Sequence, residues 1–110
     1  MADSATHIVT VFRNRLRDGA EKAYGELSPH ISELAQAMDG FIDAKTFVAA
    51  DGERVTVVTF ENQQTHDAWR DHPEHQAAQQ RGIHEFYETY SIQVGTVTYS
   101  RSFISPGASQ

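Results

Sequence analysis

Between Ala20 and Met38 the chain sets Ala20, Ala23, Tyr24, Leu27, Ile31, Leu34, Ala35 and Met38 at spacings that line apolar side chains along one face of a helix. A single apolar stripe cannot bury itself, so the rest of the chain must supply a matching surface. Pro29 lies off the stripe, and the stripe keeps its phase across it, which predicts one kinked helix and not two. Asp39-Gly40 ends the pattern. The matching surface comes from segments with the period of a strand. His7 to Leu16 sets Ile8, Thr10 and Phe12 against Val9 and Val11, and apolar residues on both faces predict a central strand. Phe41 to Ala50 and Arg54 to Glu61 read as two further strands, joined through Asp51-Gly52 in a tight hairpin turn.

Downstream, Asn62 can cap a second helix carrying His66, Trp69 and His72, and Pro73 marks the first turn of a third helical segment that runs to about Glu88. Tyr90 to Phe103 predicts the last strand, and its alternation slips beside Gly95, where a bulge is expected. Strand, helix, strand, strand, helices, strand is an α+β order. With all helices on one face it gives the ferredoxin-like βαββαβ arrangement, a four-stranded antiparallel sheet. The 110 residues suit one domain. Its ordered core is expected from about residue 6 to 103, with a flexible tail over 105–110. A last strand of the expected length extends about 46 Å at ~3.3 Å per residue, whereas such a domain is about 30–35 Å across. Part of that strand is therefore expected to reach a second subunit, making a homodimer.

Fifteen acidic against nine basic residues give a formal charge of -6, which repels phosphate backbones and anionic headgroups, so neither nucleic acid nor membrane is an expected partner. The absence of cysteine excludes disulfides, zinc thiolates and a thiol nucleophile and suits the cytoplasm. Residues Met1 to Thr10 carry no basic n-region and only a short apolar run, so export is not expected. The sequence shows no Gly-rich phosphate loop, nucleotide fingerprint, Ser/His/Asp order or flavin signature.

Three pieces of the second half carry a family likeness: Ala68-Trp69-Arg70, the His72-Pro73-Glu74-His75 turn, and Phe86-Tyr87-Glu88-Thr89-Tyr90 leading into the last strand. With the hairpin before them, they make the chain from about Thr6 to Phe103 resemble the antibiotic biosynthesis monooxygenase (ABM) family of dimeric α/β barrels. The resemblance implies a pocket between sheet and helices, and sheets facing each other across a dimer. It does not imply one reaction, since members include cofactor-independent oxygenases of anthrones and quinols, heme degraders and proteins acting on small metabolites. Asn14-Arg15-Leu16 and Trp69 match the heme-degrading branch. The iron-ligating His of that branch, ten residues after the Trp, is Gln79 here, and a carboxamide does not replace imidazole on iron. Heme is therefore the alternative, and no cofactor is the expectation.

Each candidate has a bland reading beside its chemical one. Trp69 either fills core volume or walls a pocket, stacking on a planar substrate with its N–H aimed at a developing oxyanion. For His72 and His75, three apart around a helix start, either His72 caps the second helix and His75 is partly exposed, or both face one cavity with one of them as a general base. Adding His66 makes a metal site imaginable, but no HxxxH pair supports it, and no metal is expected. Asn14 shares a face with Ile8, Thr10 and Phe12, as a satisfied structural amide or as a group orienting substrate. Tyr24, Phe86, Tyr87 and Gln79 are expected to line the pocket. Arg13 and Arg15 are expected in surface or interface ion pairs. The function these readings favour is cofactor-independent monooxygenation of a small planar phenolic, anthrone or quinol-type compound by O2, with His72 or His75 as base and Trp69 and Asn14 as donors. Heme degradation and non-catalytic ligand binding or a stress role are the alternatives.

Overall fold

In the computed structural model, residues 6–107 are described. The stripe that opens the sequence becomes α1 (Glu21–Gln36), which follows β1 (Ile8–Leu16) and leads to β2 (Phe41–Val48) and β3 (Arg54–Phe60). Two short helices, α2 (Gln63–Arg70) and α3 (Pro73–Arg81), a π-helical turn (Gly82–Phe86) and β4 (Tyr87–Thr96) complete the chain. Pro29 sits inside one continuous α1. The four strands form one antiparallel sheet in the order β2-β3-β1-β4, the α+β ferredoxin-like arrangement, with β1 central as its two apolar faces predict.

Local chemistry explains most boundaries. The β2–β3 hairpin closes on Gly52, which takes φ +91° and donates from its N–H to the Ala49 carbonyl at 2.9 Å, while Ala49 N–H donates to the Glu53 carbonyl at 2.8 Å. Asn62 caps α2: its Oδ1 accepts from Thr65 N–H at 2.9 Å, and Thr65 reciprocates on the Asn62 N–H, completing a capping box. His72 caps α3 and not α2. Its Nδ1 accepts from Glu74 N–H at 3.1 Å, with Pro73 in the first turn.

The second half departs from the sequence reading in two places. The third helical segment ends at Phe86, two residues short of Glu88, and changes at Arg81 from α3 to a π turn that leads directly into β4. β4 thus begins at Tyr87 and ends at Thr96, instead of spanning Tyr90 to Phe103. Gly95 pairs regularly with Val9. The bulge lies where Arg15 and Leu16 face Thr89 and Tyr87, with Glu88 as the extra residue. Past Val97, whose N–H donates to the His7 carbonyl at 2.9 Å, residues 98–107 carry neither helix nor strand. Tyr99, Phe103 and Ile104 along this arm are exposed. Of the expected tail, residues 108–110 lie outside the described residues.

Alternation and register arrange the helix-facing side of the sheet in rows across the strands. Phe60 and Ile8 form one row, Val58, Thr10 and Val94 the next, Thr56, Phe12 and Ile92 a third, and Arg54, Asn14 and Tyr90 the last. The tightest core sits over the first row, where Phe60, Trp69 and Ala35 cluster with Ile31, Leu34, Met38 and Phe41. Over the middle rows the helices stand off the sheet and leave a cavity.

Candidate functional site

The cavity has a volume of about 660 Å³, within the range that holds a small organic ligand. Thr10, Phe12, Thr56 and Val58 floor it, α1 contributes Tyr24, Leu27, Ser28 and Ile31, and α2 and α3 supply His66, Trp69, His75 and Gln79. Phe86 and Tyr87 close the side nearest the π turn. Of the residues singled out from sequence, Trp69, His75, Tyr24, Gln79, Phe86 and Tyr87 meet here. His72 and Asn14 do not line it.

Trp69 and His75 form a unit. Their rings stack at 4.1 Å between centroids with 11° between planes, and His75 Nδ1 lies 3.0 Å from the Trp69 carbonyl. A carbonyl can only accept, so Nδ1 carries the proton and Nε2 keeps its lone pair. Burial holds the His75 imidazole below its ordinary pKa, against the opposing pull of the carbonyl, and the nearby His72 and His66 add to the depression. His75 is thereby held neutral, with the Nε2 lone pair available to take a proton. Trp69 itself is 7% exposed, serving core and cavity at once, and its indole N–H has no acceptor among the described residues.

The sequence reading did not place His66 in the pocket, yet it lines the cavity and is buried. Its Nδ1 is 2.8 Å from Asp67 Oδ1, so the carboxylate fixes the tautomer and leaves Nε2 free. Asp67 follows His66 directly in the sequence, the one signal that pointed to this pair. Among the described residues no group of three or more His, Cys, Asp or Glu is placed to hold a metal ion. No helix among them is long and apolar enough to cross a membrane.

Charge is distributed unevenly. In a chain of net charge -6, no Asp or Glu lines the cavity, while Lys45 and Arg70 do. Carboxylates near it are already engaged: Asp67 and Asp71 hold Arg70. The expected surface pairs of Arg13 and Arg15 form with Glu53 and Asp51, each at 2.7 Å.

The opposite end of the cavity is built by the π turn. Arg17, which sequence reasoning missed, donates to the carbonyls of Tyr87, His84 and Ile83 at 3.0, 2.8 and 2.9 Å, and its N–H donates to the Phe86 carbonyl at 2.7 Å. One guanidinium thus satisfies the carbonyls that a π turn leaves open. The turn throws Phe86 and Tyr87 edge-on to Tyr24, at 5.8 and 6.1 Å, and Phe12 meets Tyr87 edge-on at 5.4 Å. Gly82 fits here because a Cβ would clash with the edge of the Tyr87 ring. Burial, with the neighbouring Tyr24 adding, pushes the Tyr87 phenol upward, so it stays a neutral donor. Behind this ring cluster Asn14 is 1% exposed, and neither its Nδ2 nor its Oδ1 has a partner. Such an unmade bond on a buried amide costs about 1–3 kcal/mol.

Comparison with known proteins agrees with the geometry. The chain is 34% identical over 83 residues to YqjZ of Bacillus subtilis (strain 168), an alignment spanning 76% of this chain and 73% of that protein. Among solved structures, Rv0793 of Mycobacterium tuberculosis superposes with a TM-score of 0.77 at 18% identity, covering 87% of this chain and 99% of that one. SnoaB, a cofactor-independent oxygenase from Streptomyces nogalater, superposes with a TM-score of 0.73 at 12% identity, covering 87% of this chain and 97% of that one. The family model for antibiotic biosynthesis monooxygenase matches residues 7–81, and the chain belongs to that family.

Proposed function

We propose that the protein is a cofactor-independent monooxygenase of a small planar phenolic, anthrone or quinol-type compound, acting as a homodimer. The observation that carries this reading is the Trp69–His75 unit: a neutral imidazole, stacked on an indole, in a cavity with no carboxylate in its walls. His75 Nε2 takes the acidic proton of the substrate, and the indole N–H of Trp69 donates to the enolate oxygen. A wall free of Asp and Glu lets that negative charge develop without repulsion. The enolate passes one electron to O2, and the substrate radical recombines with superoxide to form a C–O bond. The hydroperoxide then loses water, so CH2 and O2 become C=O and H2O, with all electrons drawn from the substrate. A solved relative described as a cofactor-independent oxygenase supports this class.

Gln79 lines the cavity at the position where the heme-degrading branch has its ligand, and its carboxamide does not hold iron. The reading without heme rests on that misfit. The homodimer is supported by the exposed apolar side chains of the arm, Tyr99, Phe103 and Ile104.

The test is quinone formation from an anthrone under O2 with chelator-treated protein. His75→Gln is expected to lose ~10²–10⁴ of the rate, and His66→Gln much less. Loss of activity with chelator overturns the metal-free reading, and a larger loss in His66→Gln transfers the base to the His66–Asp67 pair.

A further inference from the structure

Arg54 is a cation without a counter-ion among the described residues, lying against a wall of the cavity. It lies on the helix-facing side of β3, with its guanidinium 4.9 Å from the ring centre of Tyr24, a cavity wall. The two acids of the adjacent hairpin are taken on the other side of the sheet, Glu53 by Arg13 and Asp51 by Arg15. The Arg54 side chain has no ion pair or hydrogen bond among the described residues, and its Nε is buried without a partner. Directly across the strand pair is Asn14, also buried and with both amide atoms unpaired. Buried donors without acceptors, two of them side by side, are rare in folded proteins and ask for a partner that the chain itself does not provide. They lie behind the Tyr24 and Tyr87 rings, and the cavity on the near side of those rings has no Asp or Glu in its walls, so an anion there meets no repulsion.

We propose that Arg54 and Asn14 form an oxyanion subsite that binds the carboxylate of a planar aromatic acid, whose ring lies along Tyr24 and Phe12 toward Trp69. The guanidinium offers the forked pair of donors that matches a carboxylate, and Asn14 Nδ2 adds a third. The rings of Tyr24 and Tyr87 flank the same end. The substrate class is thereby narrowed from planar hydroxyarenes to hydroxyarenes bearing an acid. The inference rests on the cavity being the aromatic site proposed above.

The experiment is anaerobic calorimetry with two probes of one ring system, 1-hydroxy-2-naphthoate and 1-naphthol. The wild-type protein is expected to bind the acid about tenfold tighter or better, as charge-assisted hydrogen bonds warrant. Arg54→Met is expected to abolish the preference while 1-naphthol affinity stays within about threefold, which also shows the cavity intact. Arg54→Lys retains part of the preference, since it keeps the charge without the fork. Asn14→Leu weakens the acid alone. A preference that survives Arg54→Met, or that is lost in Lys45→Met instead, overturns the subsite. 1-Naphthol binding with no preference for the acid overturns the subsite but leaves the oxygenase reading standing, and failure of both probes to bind overturns both.

Discussion

The two ends of the cavity are built on opposite plans. At one end Trp69, Phe60 and Ala35 form a packed apolar cluster whose one polar side-chain group is the indole N–H, and the chemistry rests on a ring stacked against them. At the other, Asn14, Arg54, Tyr24 and Tyr87 are gathered from four elements, and polar atoms are left unpaired under an aromatic cover. The first end obtains stability and reactivity from the same residue. The second gives up stability to hold donors ready, as binding sites do when their groups are satisfied by ligand and not by the fold.

That contrast breaks most visibly at Trp69. Trp69→Ala is expected to cost about 3–5 kcal/mol, because a buried indole leaves a large hole over Phe60. Urea denaturation measures it, and a loss below about 1 kcal/mol would mean this end is as loosely packed as the other. At the far end, Gly82→Ala is expected to cost about 1–3 kcal/mol by forcing Tyr87 aside, and the same denaturation series reads it beside a shift in near-ultraviolet circular dichroism. Asn14→Leu should go the other way and raise stability by about 1 kcal/mol, since it removes an amide with nothing to bond. A destabilised Asn14→Leu would show that the amide is satisfied after all.

The smallest effect is in pH. The His75 pKa is depressed in the native state, so below its ordinary value of about 6.5 the unfolded chain takes up a proton that the folded chain refuses. Stability therefore falls as pH drops through that value and levels off once the native imidazole is also protonated. The slope of the urea midpoint between about pH 7.5 and 5 should be shallower in His75→Gln than in the parent. Equal slopes would place His75 in a solvent-like environment.

The same contrast decides what the sequence made legible. Trp69 and His75 are six residues apart, and their neighbourhood follows from helical spacing, a cap and a proline, all local chemistry. The hairpin at Asp51-Gly52 and the central place of β1 were readable for the same reason: period, turn residue and two-sided burial are written within a few positions. Asn14 was placed on the correct face but not in its row, because alternation gives a side and not a distance along the sheet. Arg54 looked like the first residue of a strand and nothing more. Its isolation emerges only when Glu53 and Asp51 are seen engaged by other arginines. The end of β4 was misplaced because Val97, Tyr99 and Phe103 are strand-forming types with no strand left to pair, β1 being already used up at Ile8.

The sheet order β2-β3-β1-β4 carries a consequence for the birth of the molecule. β1 is made first and its partner β4 last, with Arg17 and Tyr87 separated by 70 positions. At synthesis rates of about 5–20 residues per second, one edge of β1 waits roughly 4–14 s for its neighbour, offering the apolar run Ile8-Val9-Thr10-Val11-Phe12 to any other nascent chain nearby. The arginines at 13, 15 and 17 follow that run at alternate positions. Beyond their roles in the finished fold, they stand where gatekeeper charges stand beside a hydrophobic strand: pairing of two such strands would set like charges against one another.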